Sequence, residues 1–385
     1  MGVQIEGTVS AGFEGVRDAF AANFGDAAQV REVGAGFCAY HHGRLVVDLW
    51  GGFADAARTR SWRQNTLANV WSSTKGATAV AVARLVDQGA LNYDDRVADH
   101  WPEFAQARKR DVTVAQVMSH QTGLPGFAEP TTTDDLFDWQ GCVGKLARQT
   151  PAWTPGEATS YHAVTYGFLA GEIIRRVSGR SAGAYLRDEI CGPLGSDIHI
   201  GLPVDQEHRV AQMIPPLNPP PPAKMGPEAI MAVTNPNLDP AAPNRREWRA
   251  AEIPAANGQA SAGGLARLYA MLAQGGTLDG QTILSPEGVA GLTAPARAPA
   301  GRTDRFLGFV DSWAMGVILN RPKVYGSNAD AYGHSGWGGS FGCADPDAKV
   351  AMGYVCNQMA PDLVGDPRTA GLCRSVLEGA KQAPA

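Results

Sequence analysis

The stretch Asn69–Gly89, NVWSSTKGATAVAVARLVDQG, decides how this chain is read. Ser72-Ser73-Thr74-Lys75 opens it, and Ala77, Val80, Ala81, Leu85 and Val86 follow among small residues up to Gly89. That pattern predicts a helix buried on most sides and stopped at the glycine. Residues three apart on a helix differ by about 300 degrees of rotation and share a face, which brings the Lys75 amine beside the Ser72 hydroxyl. Ser73 points roughly the other way, and with Thr74 it is expected to serve the polar first turn of the helix.

A serine hydroxyl is a poor nucleophile until a base takes its proton, and a lysine does so once burial or a second cation lowers its pKa. Ser-x-x-Lys alone is a weak signal, since the serine and lysine content of the chain yields roughly 0.3 such pairs by chance. Two other serines compete. Gly179-Arg180-Ser181-Ala182-Gly183 and Gly338-Gly339-Ser340-Phe341-Gly342 both fit G-x-S-x-G, which works as a nucleophile elbow only at a strand-to-helix turn. Gly179 reads instead as a helix C-terminal glycine and Ser181 as the N-cap of the next helix. Ser340 lies between strand-like runs, and no histidine follows His334, so the Ser, acid, His order is not available to it.

Working outward, Phe13, Val16, Phe20 and Phe24 recur at helical spacing, and GFCAYHHGRLVVDLWGG reads as two strands around His41-His42-Gly43. The adjacent histidines read as structural rather than metal-binding, on the expectation that neighbours in a strand turn point to opposite faces. From residue 96 to 240 short helical patterns alternate with Pro-, Gly- and Trp-rich connections, and MIPPLNPPPPAKMGP at 213 to 227 reads as extended polyproline-like chain, a linker or a pocket wall. The sequence then returns through GLARLYAMLAQGG to strand-like SWAMGVILN, GSFGCADP and AKVAMGYVCN, and closes on a helix, RTAGLCRSVLEGA. Strands at both ends imply one sheet built from both termini: an α/β (α+β) fold, mainly antiparallel. The expected division is an α/β unit of residues 1–95 and 241–385 with a mostly helical insertion, 96–240, and the active site between them.

Composition narrows the function. In 385 residues, 44% hydrophobic and 18% charged, the charge of −5 from 33 basic and 38 acidic residues leaves no footprint of a nucleic-acid binder. No apolar run approaches the roughly 20 residues of a membrane helix, and the opening MGVQIEGTVSAG has neither a basic n-region nor an apolar h-region. The expectation is a soluble, cytoplasmic protein. The six scattered cysteines signal no zinc site or disulfide framework and read as small buried hydrophobes, and no cofactor is indicated.

Two more stretches bear on Ser72. TSYHAVTYGFLAGE places Tyr161 just before a helix, where a phenol near an ammonium would lose its proton more easily and share the role of base. YGHSGWGGSFG puts His334 and Ser335 ahead of a glycine-dense strand start that lets a substrate approach the backbone and leaves N–H groups for an oxyanion. His334 would donate to the substrate or tune Lys75.

Ser72-Ser73-Thr74-Lys75, Tyr161-His162-Ala163 and His334-Ser335-Gly336, in this order, together with GALNYDDRVADHWPEF and VAQVMSHQTGLPGF, resemble the serine β-lactamase and DD-peptidase superfamily over roughly residues 30 to 360. Within it the chain looks most like the family VIII carboxylesterases, which have the β-lactamase fold and act mainly on esters. The resemblance implies Ser72 as the acylated nucleophile, Lys75 and Tyr161 as the base pair, and His334-Ser335-Gly336 in place of the Lys-Thr-Gly strand. It also implies an oxyanion hole from the N–H groups of Ser72 and Trp337, or of Ser72 and Ser340 if Trp337-Gly338-Gly339 takes the place of that strand. Ala163 stands where the superfamily carries the Asn of Tyr-x-Asn, and His334 where it often carries lysine. Both departures weaken recognition of an anionic β-lactam or a peptide terminus. The expected substrate is therefore a small neutral ester or lactone. A β-lactamase or D-amino-acid peptidase, an acyltransferase and a non-catalytic β-lactamase-like binding protein are the alternatives; the sequence leaves monomer or homo-oligomer open.

Overall fold

The hairpin at His42-Gly43 sets the register of the main sheet. In the computed structural model, which describes residues 3–217, 225–298 and 300–383, strands β2 (Gly34–His41) and β3 (Arg44–Gly52) pair antiparallel with His41 opposite Arg44. The two loop residues both have positive φ, 48° and 75°, the geometry that matches the right-handed twist of the flanking strands. That turn also corrects the expectation for the two histidines. Strand alternation has ended at His42, and the rings pack edge to face with centroids 4.4 Å apart.

Helix α1 (Gly15–Ala22) forms where the phenylalanine spacing predicts it, with Phe13, Val16, Phe20 and Phe24 all buried. A strand precedes it, β1 (Ile5–Val9), which pairs with β3 at the sheet edge. The C-terminal half supplies β4 (Ile318–Leu319), β5 (Tyr332–Ser335), β6 (Phe341–Asp345) and β7 (Val350–Cys356). The seven strands run in the order β1-β3-β2-β7-β6-β5-β4, every pair antiparallel, so the two ends of the chain meet at the β2–β7 pair.

The other helices that position the site are α2 (Thr74–Asp87), α3 (Trp139–Arg148), α4 (Thr165–Ser178), α5 (Ala262–Ala273), α6 (Pro286–Thr293) and α7 (Pro367–Gln382). Both faces of the sheet are covered, which is why β2 and β7 are buried along their whole length instead of alternating in polarity. Phe37 and Ala39 of β2 face the cluster made with α1 and α7, whereas Cys38 and Tyr40 face the cluster made with α5. Gly353 permits this approach, since a Cβ there would meet the backbone of Ala262 and Ala266 in α5. All six cysteines are buried and unpaired.

The short helices after residue 95 lie beyond α2. Their buried Leu124, Leu146, Phe168 and Ile173 belong to the same cluster as Val80, Val82 and Leu85 of α2. α2 is thus enclosed, ends at Asp87 with Gln88 as its C-cap, and is followed by Gly89 at φ 71°. Residues 218–224 of the proline-rich segment expected as extended chain lie outside the described residues.

Candidate active site

Ser72 sits on a single 3-10 turn, Trp71–Ser73, that leads into α2. In such a turn residues i and i+3 eclipse, so the hydroxyl lines up with Lys75 more closely than on an α-helix. Lys75 Nζ lies 3.2 Å from Ser72 Oγ. Trp71 holds the turn in place at φ 44°, an outlier for a bulky residue, with its indole between Trp248 and Trp337 at centroid distances of 5.5 and 5.0 Å.

Lys75 is fully buried. Besides Ser72 its partners are the main-chain carbonyls of Ala163, at 2.7 Å, and Ala255, at 2.9 Å. The rings of Tyr161 and Tyr166 lie 4.7 and 5.8 Å from Nζ. Burying an ammonium without a carboxylate costs far more than three hydrogen bonds to neutral groups return, so desolvation holds the pKa well below the ordinary 10.5. A neutral amine fits the partner set: two N–H groups for the two carbonyls and one lone pair for the serine hydroxyl.

The hydroxyls of Ser73 and Thr74 do not cap α2. Ser73 Oγ donates to the Ser340 carbonyl at 3.1 Å, and Thr74 Oγ1 accepts the Gly258 N–H at 2.9 Å. The crowded start of α2 is fastened laterally to β6 and to the 258 loop, and the first-turn role expected for these side chains is replaced by tertiary bonds. Ser340 Oγ donates inward to the Val70 carbonyl at 2.8 Å. Ser181 accepts the Ala184 N–H as an N-cap, and Gly179 ends α4 at φ 72°.

Tyr161 lies in the loop before α4 and is buried. Its ring stacks on Trp313, centroids 5.7 Å apart and 6° from parallel. Desolvation pushes its phenol pKa up, a hydrogen bond with Ser72 opposes that shift and the charge of Asp304 adds to it. The expected easing of phenol ionisation is therefore reversed: burial outweighs any help from Lys75, and Tyr161 carries its proton.

Three residues that the sequence reading missed hold this tyrosine. Asp304, buried, accepts the N–H groups of Tyr161 (3.3 Å), Phe306 (2.8 Å) and Leu307 (2.8 Å) on Oδ1 and the indole N–H of Trp313 (2.9 Å) on Oδ2. His120, buried at φ 61°, packs edge-on against Tyr161 and Trp313. Its Nδ1 accepts the His162 N–H at 3.2 Å, which leaves the proton on Nε2. The unusual φ of a histidine is the one local oddity that marks the place, and sequence does not display it.

β5 brings His334 and Ser335 alongside. His334 is buried, and its Nδ1 bonds the Ser335 carbonyl at 2.9 Å. Desolvation, with the Lys75 charge adding, pushes its pKa down to about 3, so it is neutral and supplies no cation. Ser335 Oγ lies 3.1 Å from the Tyr325 hydroxyl. Beyond it, Gly336 abuts the Val70 carbonyl so closely that no Cβ would fit. The Gly336 N–H bonds Ser340 O at 2.7 Å, that of Gly338 bonds Asp362 O at 3.2 Å and that of Gly339 bonds Gly336 O at 3.1 Å. Among the described residues the N–H groups of Trp337 and Ser340 have no acceptor.

Among the described residues no group of three His, Cys, Asp or Glu side chains is placed to hold a metal ion. No helix among them is long and apolar enough to cross a membrane. The arrangement can take a proton from Ser72, present a phenol beside it and offer main-chain donors to a developing negative charge.

Known proteins share this architecture. The chain is 36% identical to the Esterase/beta-lactamase LipL of Mycobacterium tuberculosis over 354 residues, 86% of this chain and 78% of that protein. A crystal structure of a family VIII carboxylesterase superposes with a TM-score of 0.91 at 47% identity, covering 97% of this chain and 98% of the other. A penicillin-binding protein homologue from Caulobacter crescentus superposes with a TM-score of 0.92 at 45% identity, covering 98% and 100%. The sequence pattern of the Beta-lactamase family runs from residue 18 to residue 372, and the chain belongs to that family.

Proposed function

We propose that the protein is a serine carboxylesterase that works through an acyl-enzyme on Ser72. The observation that carries this reading is the fully buried Lys75, without a carboxylate partner and 3.2 Å from Ser72 Oγ. Neutral Lys75 takes the hydroxyl proton as Oγ attacks the ester carbonyl. The oxyanion binds the N–H groups of Ser72 and Trp337. Trp337 is preferred to Ser340 because its side chain packs on Trp71 beside the nucleophile, whereas the Ser340 hydroxyl is turned onto Val70. The phenol of Tyr161, adjacent to Ser72, passes the proton between Lys75 and the departing alcohol; water then attacks the acyl group under the same amine.

The substrate is a small, neutral ester. Ala163 offers no carboxamide to an amide substrate, and neutral His334 offers no cation to a carboxylate. An alkoxide or phenolate also leaves with less proton assistance than an amine. The catalytic cleft lies between the unit of residues 1–95 and 241–385 and the helical insertion. Six unpaired, buried cysteines support action in the reducing cytoplasm.

A panel of p-nitrophenyl butyrate, a lactone, nitrocefin and a D-alanyl dipeptide tests the reading. The ester is expected to turn over with the highest kcat/KM and nitrocefin at least about 100-fold more slowly. A preference for nitrocefin or the peptide would replace the substrate class.

A further inference from the structure

Behind Trp337-Gly338-Gly339 lies a buried ion cluster that the chemistry above does not use. Arg368, at the start of α7, is 3% exposed, and beside it Glu32 is 2% and Asp366 4% exposed. The guanidinium spends all five of its N–H groups within hydrogen-bond distance. Nε donates to Asp366 Oδ1 at 2.9 Å, and Nη1 donates to Glu32 Oε1 at 2.5 Å and the Gln358 carbonyl at 2.8 Å. Nη2 donates to Asp366 Oδ2 and to the Gly338 carbonyl, both at 2.6 Å.

The last of these bonds reaches the turn that carries the Trp337 N–H. Gly338 and Gly339 have φ of 96° and 116°, and a Cβ on Gly339 would strike the Asp366 carboxylate and the Arg368 guanidinium. The turn therefore rests directly on the ion cluster. Its inner bonds fix the direction of the free N–H: in a trans peptide the N–H is antiparallel to the preceding C=O. Because the Gly336 carbonyl points inward to the Gly339 N–H, the Trp337 N–H points out of the turn. The Gly338 carbonyl, which also accepts the Ala360 N–H at 3.1 Å, ties the turn to the rest of the molecule alongside the bond from the Gly338 N–H to the Asp362 carbonyl.

We propose that Arg368 is a positioning residue for the oxyanion site: by holding the Gly338 carbonyl it fixes the turn that presents the Trp337 N–H to the tetrahedral intermediate. The inference rests on the acyl-enzyme reading given under Proposed function. A charge-assisted bond from a saturated guanidinium restrains a main-chain carbonyl more firmly than a neutral donor does. An oxyanion donor must be held to within a fraction of an ångström, and removing one costs about 100- to 1000-fold in kcat. Its misplacement is expected to cost about 10- to 100-fold.

Arg368→Lys keeps the positive charge that Glu32 and Asp366 require but loses the planar fork. The pair Asp366→Asn with Arg368→Met removes the donor to Gly338 together with the carboxylate that takes two of its bonds, while Glu32, whose pKa burial raises, can hold a proton. Both are made in the full chain, and folding is checked by thermal melting. In each folded variant kcat for p-nitrophenyl butyrate is expected to fall about 10- to 100-fold with KM changed less than about threefold. The inhibition constant of a boronic acid, whose tetrahedral adduct occupies the oxyanion site, should rise by a similar factor. A folded variant with kcat and boronate affinity within about threefold of wild type overturns the proposal, as does a kcat loss with unchanged boronate affinity. Ser72→Ala is assayed in parallel, so that turnover by that variant rejects the acyl-enzyme reading itself, whereas an inactive Ser72→Ala beside an undiminished Arg368→Lys rejects only the role of Arg368.

Discussion

Lys75 Nζ donates to the main-chain carbonyl of Ala163 at 2.7 Å. The residue standing where the Tyr-x-Asn motif of β-lactamases has its asparagine thus touches the base through its backbone, and its side chain is free to change without breaking that bond. Ala163→Asn would restore a carboxamide beside the nucleophile. Nitrocefin turnover should rise about tenfold, the worth of one hydrogen bond of about 1.4 kcal/mol, while ester kcat/KM changes less than about threefold. Steady-state assays of both substrates check this.

The pH profile follows from Lys75. On the acyl-enzyme reading proposed above, Lys75 works as the base when neutral, and burial lowers its pKa well below 10.5. Ester kcat/KM should therefore rise with pH through that depressed value and be level above it, leaving the enzyme active near pH 7, where an exposed lysine would be protonated. Lys75→Arg keeps a group that stays charged throughout, and its turnover should fall by at least about 1000-fold at every pH.

Asp304 is the acceptor for three backbone N–H groups and one indole N–H around Tyr161. Asp304→Ala strands those donors in a buried setting. A loss of about 2 to 4 kcal/mol in unfolding free energy is expected by urea titration, with a fall in kcat as the Trp313–Tyr161 stack loosens.

Glu32 gives the stability a pH dependence of definite sign. Desolvation outweighs Arg368 and the Tyr354 hydrogen bond and pushes its pKa from 4.5 up to about 7, with Asp366 adding to the rise. The folded state therefore holds this proton more tightly than the unfolded chain. The resulting stability is fully present below pH 4.5 and is lost as pH rises through 7. Glu32→Gln, which keeps a neutral group, should lack this loss. Its stability relative to wild type should improve by up to about 3 kcal/mol between pH 4.5 and 8 in urea titrations. A constant difference across that range would contradict the account.

How much of this was readable in advance depended on whether a feature is local. The β2–β3 hairpin, the buried α2 and the pairing of strands from both ends follow from periodicity, turn residues and a glycine stop, all within short windows. The proximity of Ser72 and Lys75 follows from spacing alone. β1 escaped because its five residues, Ile5–Val9, include Gly7 and carry only a half-exposed edge-strand pattern. Ser73 was misread because its partner, Ser340, is brought to it by the sheet. The surroundings that bury the two groups are equally non-local: the Ala255 carbonyl beside Lys75, and Asp304 with Trp313 around Tyr161, meet only in three dimensions. Sequence named the chemical groups; burial lowers the pKa of Lys75 and raises that of Tyr161.

The central claim is a covalent intermediate on Ser72, and the most direct measurement is intact-protein mass after treatment with p-nitrophenyl diethyl phosphate, followed by peptide mapping. The account predicts one diethylphosphoryl group, located on Ser72, in wild type and in Ser73→Ala. It predicts no adduct in Ser72→Ala, together with loss of ester turnover by at least about 1000-fold. An adduct on Ser181 or Ser340, or ester turnover that survives in Ser72→Ala, would contradict it.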